Sequence, residues 1–185
     1  MPDSLAPGLL IATPQLLDDN FDHTVIFLIE HTRDGALGVV INRPSNVRVP
    51  ELLKRIGIGY RGDPDASVLV GGPLQRDNII VIHAEGNEPE DSRALGQSIF
   101  VGASQVALER VFQRPGARAL CFAGYAGWGA GQLDMEVDRG SWIPAPADET
   151  LIFSRDREAL WGMVLRGQGI DPSLFIPGEF DTGNN

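Results

Sequence analysis

Glu30 and His31 stand side by side in the run VIFLIEHTRDG, and a carboxylate beside an imidazole is the smallest set of parts for acid–base chemistry near neutral pH. Successive residues of a strand face opposite sides of a sheet, so these two cannot pair directly in a regular strand. Glu136 is another carboxylate that the fold would have to carry to His31. A second group of residues suits binding. Asn42 and Arg43, just before Pro44, join an amide that bonds local backbone to a guanidinium that suits a carboxylate or an anionic ligand. In the segment GYAGWGAGQ, the glycines at 124 and 127 let the backbone approach a ligand closely, and Tyr125 and Trp128 offer flat apolar faces with polar tips. Read as a strand-to-helix turn ending at Gln132, this segment opens on a helix N-terminus and suits an anion or a carbonyl oxygen. The plainer alternative is that the glycines make room for the two rings in the core.

Other chemistries lack their parts. As one continuous strand, the eight residues from His23 to His31 would hold the two rings roughly 26 Å apart, far beyond shared coordination. Cys121 has no CxxC partner and lies in the apolar run ALCFAG, a core position. No metal and no cofactor is expected. The serines at 98, 104, 141 and 154 have no nucleophile elbow around them, and neither HExxH nor a GxGxxG in a βαβ context occurs. Gly71-Gly72-Pro73 lacks the Lys and Ser/Thr of a phosphate loop and reads as a tight turn.

Charge narrows the partners. With 15 Lys plus Arg against 25 Asp plus Glu, the formal charge of −10 repels a phosphate backbone at long range, which disfavours nucleic acid. Arg110, Arg114 and Arg118 recur at four-residue spacing, but Pro115 and Gly116 break any helix carrying them, and they read as a solvated helix end. The first residues, MPDSLAPGLL, carry no export pattern, and the longest apolar run, VIFLI, is too short to span a bilayer. The expectation is a cytoplasmic protein without a membrane segment, one domain over 1–185, with residues 181–185 frayed.

The elements that must position these residues follow from period and punctuation. Residues 8–13, 24–31 and 37–42 read as strands, the last two joined by TRDG. If Asp34-Gly35 are the two central turn residues, His31 lies opposite Gly38 and Glu30 opposite Val39, leaving space above Gly38 for a ring or a ligand. Pro50 opens a short helix with Leu52, Leu53 and Ile56 on its inner face and Gly57 as the stop. Residues 60–66 read as loop, SVLVGGP and NIIVIHA as buried strands, EGNEPEDSR as a solvated connection and SIFVG as another strand. Ser104 caps a helix through Phe112 with Ala107, Leu108, Val111 and Phe112 inward. ARALCFAGYAG is a strand entering the glycine-rich turn, Gln132–Asp138 is a helix, and Asp156 caps a last helix through Arg166 with Leu160, Trp161, Val164 and Leu165 inward.

Four segments, GLLIATP at 8–14, TVIFLIEHTRDGALGVVINRP at 24–44, VGGPL at 70–74 and GYAGWGAGQLDMEV at 124–137, together with the tryptophan at 142, resemble the bacterial YqgE/AlgH family in order and content. Asp134 stands where that family more usually has a glutamate, keeping the carboxylate with a shorter reach. The resemblance implies an α+β fold, a bifurcated, mostly antiparallel β-sheet folded into a pseudo-barrel with peripheral helices. The family's name derives from a proposed role in transcriptional regulation of alginate synthesis, and the resemblance brings no catalytic residues with it.

The first expectation is a non-enzymatic binding or regulatory module, acting through a protein partner or a small anionic ligand received near Asn42, Arg43, Tyr125 and Trp128. One alternative is an enzyme using His31 with Glu30 or Glu136. The other, a DNA-binding transcriptional regulator, rests on the family name, and the acidic charge and the absence of a helix-turn-helix pattern stand against it.

Overall fold

The computed structural model describes residues 4–14, 16, 18–84 and 91–175. Within them the chain forms strands β1 (Gly8–Ala12), β2 (Val25–Thr32), β3 (Gly35–Val40), β4 (Pro44–Arg48), β5 (Ser67–Val70), β6 (Leu74–Ala84), β7 (Ser92–Leu95), β8 (Ile99–Gly102), β9 (Arg118–Gly129) and β10 (Trp142–Pro146). The helices are α1 (Val49–Arg55), α2 (Gln105–Phe112), α3 (Gln132–Asp138), α4 (Glu149–Ile152) and α5 (Leu160–Gly167). The strands make one curled sheet in the order β10-β1-β2-β3-β9-β6-β8-β7, with β4 and β5 off this path. All its pairings are antiparallel except β5 with β9, so the fold is an α+β half-barrel.

Burial on both faces explains why strands such as β1 read as unbroken apolar runs. Leu9 and Ile11 of β1 join a core completed by Leu160, Trp161, Val164 and Leu165 of α5, while Leu10 turns to a second core with Leu133, Trp128 and Trp142. A third core packs Leu53 of α1 and Leu108, Val111 and Phe112 of α2 on Val81 and Cys121. Each fully buried Leu or Ile contributes roughly 1.5–3 kcal/mol, so these stripes fix the helices to the sheet.

The sheet forks along β9. One edge of β9 pairs with β6; the other pairs in parallel with β5 at Phe122 and Ala123, then antiparallel with β3 from Ala126 to Gly129. At the fork the backbones of Gly71 and Gly124 meet. A Cβ on Gly71 would stand 2.2 Å from the Gly124 carbonyl oxygen, and one on Gly124, whose φ is +75°, 2.7 Å from the Leu74 oxygen. Gly71 donates its N–H to Ala123 O (2.9 Å) and accepts from Val40 N (2.8 Å), so VGGP is a crossing between two branches of the sheet.

Several expectations change. The hairpin joins β2 and β3, but Thr32 pairs with Gly35, His31 with Ala36 and Glu30 with Leu37, which makes Arg33-Asp34 the turn. A bulge between Leu28 and Glu30 brings Gly38 opposite Leu28, and the Ile26 side chain fills the space above it. Gly35 is needed elsewhere, because a side chain there would strike Trp128 O on β9 at 2.3 Å. The glycine-rich segment after Gly124 continues as strand, with Ala126 and Trp128 buried and alternating, and the turn comes at Ala130-Gly131. Ile56 lies past the end of α1 and is 42% exposed, while Val49 takes the inner face with Leu53. The helix led by Asp156 starts at Leu160, although the Asp156 carboxylate does accept from Ala159 N at 3.0 Å. Strands β4, β7 and β10 and helix α4 went unread. Of the acidic connection, 85–90 lie outside the described residues and Ser92 and Arg93 belong to β7; the terminal tail also lies outside them. Among the described residues, no helix is long and apolar enough to cross a membrane.

Candidate anion-binding groove

The residues singled out by sequence fall into three separate places. His31 accepts the Leu5 N–H at Nδ1 (3.1 Å) and has Nε2 3.4 Å from the Asp134 carboxylate, so the ring ties the N-terminal segment and α3 to the hairpin. With Nδ1 accepting, Nε2 carries the proton, and no lone pair on the ring is left for a substrate. Glu30 points elsewhere, 3.2 Å from Arg93 on the exposed face. Asn42 accepts from Val25 N (2.8 Å) and donates to His23 O (2.9 Å), and Arg43 donates to the carbonyls of Asn20, Asp19 and Asp22. Both hold the 18–23 loop against the sheet.

The third place is the glycine–tryptophan segment. Glu136 accepts both indole N–H groups on one oxygen, from Trp128 at 2.9 Å and Trp142 at 2.8 Å, and Gln132 Nε2 on the other at 2.9 Å. Gln132 Oε1 in turn accepts Gly129 N at 3.0 Å. Tyr125 is half-buried against the α5 core, and Gly127 packs on Leu74. Trp128, Gly129, Gln132, Glu136 and Trp142 thus form one hydrogen-bonded network. Neither Glu30 nor Glu136 meets His31, and Asn42 and Arg43 make their bonds apart from Trp128 and Gln132.

A different constellation lies at the opposite end of β9. Two adjoining cavities, of about 520 and 490 Å³, share Tyr60, Asp63, Phe112, Arg155 and Arg157 and form one groove. Its floor is the start of β9, Ala119 to Cys121, and its walls are the loop after α1, the end of α2 and the loop between α4 and α5. Local chemistry sets each wall. Arg61 donates its N–H to Phe112 O (2.9 Å), fixing the first loop to α2. Tyr60 donates to Asp63 O (3.0 Å), and Asp63 takes Asp65 N on its side chain (2.9 Å) in a turn through Pro64. The helix α2 ends at Phe112 with Gln113 as its cap, and Pro115 and Gly116 beyond it turn the chain into Arg118. On the third wall Arg157 donates to the carbonyls of Ile41 (3.2 Å) and Ile152 (2.8 Å).

The second cavity is lined by Arg61, Arg114, Arg118, Arg155 and Arg157, and Asp63 is its one carboxylate. Arg118 is matched by Glu149 and lies over the Phe153 ring at 5.0 Å. Arg61, Arg155 and Arg157 have no carboxylate partner among the described residues. Burial lowers the Arg157 pKa to about 10, which reflects the cost of keeping a charged guanidinium half out of water. Burial first, then the charge of Asp63, raises that of the Tyr60 hydroxyl, which stays a proton donor. In the floor, burial alone pushes the Cys121 thiol up to about 12. Arg114 and Arg118, expected as a solvated helix end, are thus brought together with arginines from two other loops. The local signal was RDR at 155–157, three residues whose spacing says nothing of Arg61. Among the described residues no group of three His, Cys, Asp or Glu is arranged to hold a metal ion.

A curled sheet that forks at a glycine crossing, with helices on its outer faces, defines an α+β half-barrel class. The chain belongs to the AlgH-like family, whose model matches residues 9–173. It is 37% identical over 186 residues to a UPF0301 protein of Anaeromyxobacter dehalogenans, covering 96% of this chain and 94% of that one. With a UPF0301 protein of Xanthomonas euvesicatoria pv. vesicatoria the identity is 38% over 174 residues, covering 92% and 93%. The solution structure of the AlgH protein from Pseudomonas aeruginosa superposes with a TM-score of 0.76 at 33% identity, covering 96% of both chains. A crystal structure from Corynebacterium diphtheriae, 24% identical, shares the fold with a TM-score of 0.77 over 94% and 92%.

Proposed function

We propose that the chain is a non-enzymatic binding module that takes up a small anionic ligand in the arginine-lined groove. The observation that carries this reading is three guanidinium groups facing one groove without a carboxylate partner among the described residues, in a chain whose formal charge is −10. Here Arg61 and Arg155 stand exposed on separate loops, and Arg157 is half-buried with neutral carbonyls as partners. An anion seated among them makes charge-assisted, forked bonds and compensates the buried charge of Arg157. The ligand chemistry is the one expected from the sequence; the groove is favoured as its place over Asn42, Arg43 and Trp128 because the side chains of those three already bond to the protein.

Thermal unfolding of the full chain in a panel of anions at fixed ionic strength tests this. At ten times its dissociation constant a ligand adds about 1.4 kcal/mol, or roughly 3–6 °C for a domain of this size. The shift is expected in the wild type and absent from the Arg61→Ala/Arg155→Ala double variant. A blank panel, or an equal shift in the double variant, would overturn the reading.

A further inference from the structure

The groove is not uniformly basic, and its polarity restricts what it can hold. Around the second cavity five arginines face one carboxylate. Asp63, Arg155 and Arg157 line both cavities; the first adds Asp65, which pairs with Arg48 at 2.6 Å, Asp156, which accepts from Ala159 N, and Glu158, and adds no arginine. Between the two halves lies Tyr60, tilted at 54° to Phe112 with ring centroids 5.8 Å apart, beside Ala66 and Leu120.

From this order, basic then flat and apolar then acidic, we infer that the ligand is a phosphate monoester of a planar, amino-bearing group, the size and chemistry of a nucleoside monophosphate. This rests on the anion-binding reading and gives it a substrate class. Each step has a physical reason. Arginine forks from separate loops need an acceptor with several oxygens in different directions, which a phosphate offers and a single carboxylate does not. The carboxylates that only the first cavity has, Asp156 and Glu158 above all, repel a second phosphate, so a polyphosphate or a nucleic-acid strand laid along the groove is penalised. They favour hydrogen-bond donors there, as the exocyclic amines of adenine, cytosine or guanine supply. Half-buried Tyr60 between them, with Ala66 and Leu120, gives an apolar stretch that suits a flat ring. Cavities of about 520 and 490 Å³ lie within the size range of small-ligand sites, roughly 300–1,000 Å³.

The test is calorimetric titration of the full chain with AMP, GMP and CMP, and with ribose 5-phosphate, inorganic phosphate and ATP under the same conditions. At least one monophosphate is expected to bind tenfold or more tightly than ribose 5-phosphate and more tightly than ATP. Arg61→Ala/Arg155→Ala should weaken it at least tenfold. Asp65→Asn/Glu158→Gln should keep phosphate binding, narrow the preference over ribose 5-phosphate and admit ATP. If ribose 5-phosphate or inorganic phosphate matches every nucleotide, the planar amino group is excluded while the anion reading stands. ATP binding as tightly as AMP, or an Asp65→Asn/Glu158→Gln variant with unchanged preferences, overturns the role given to the acidic half. If none of the six binds, the phosphate-monoester inference falls, and the thermal panel of other anions decides whether the anion reading falls with it.

Discussion

At its C-terminal end β9 carries Trp128, whose indole shares the Glu136 carboxylate with that of Trp142; at its N-terminal end it carries Arg118 to Cys121, the floor of the groove. In the first region donors and acceptors answer one another within a few residues of chain: Gly129 to Gln132, Gln132 to Glu136, Glu136 to both tryptophans. In the second, cations from loops far apart in sequence face a common space, and three of them meet no carboxylate among the described residues. A dense motif here marks a solved packing problem. The region with chemistry left over has no motif at all.

The clamp should therefore be the more costly region to disturb. Glu136→Ala leaves two indole donors without their acceptor, and each unsatisfied buried donor costs about 1–3 kcal/mol. We expect a loss of about 2–4 kcal/mol in urea unfolding, since Glu136 is half-buried and water replaces part of the bond. Glu136→Gln, which keeps an oxygen for the indoles, should lose less. If Glu136→Ala unfolds like the wild type but no longer binds anions, the clamp is a ligand site and the comparison is reversed.

The same contrast explains how much could be read in advance. The buried strands other than β10, the α2 cap at Ser104 and the inward faces of α2 and α5 were legible because two-sided burial and helical spacing are local signals. Gly124 and Gly71 were legible as special positions but not as each other's neighbours, because nothing in the spacing of two distant glycines announces a crossing of two sheet branches. The alternative enzyme reading paired His31 with Glu30 or Glu136; the carboxylate beside its ring is Asp134 from α3, which linear spacing did not point to. The groove was unreadable for a stronger reason. Its arginines belong to four segments, each of which is by itself an ordinary polar loop or strand end, and only the fold brings them together.

A middle-sized effect separates the dry floor of the groove from its ionic rim. Burial raises the Cys121 thiol from its ordinary 9.0 to about 12, so below pH 9 both folded and unfolded chains keep the proton. Between pH 9 and 12 the unfolded chain releases it and the folded chain holds it. The folded state then binds more protons, and stability falls as pH rises, by up to about 1.4 kcal/mol per unit. Urea titrations at pH 8, 9.5 and 10.5 should show this decline in the wild type and a shallower one in Cys121→Ala. Equal slopes would mean that water reaches the thiol, and that the floor is part of the wet site.

The smallest expected effect is the most discriminating. Arg61 and Arg155 are exposed and make no ion pair among the described residues, so replacing both by alanine should change the stability of the unliganded chain by less than about 0.5 kcal/mol. A loss of 2 kcal/mol or more would show that the two side chains hold the loops in place, which is the role Asn42 and Arg43 have on the 18–23 loop. A near-zero change beside a lost anion response would place their value wholly in what they bind, the opposite of Glu136.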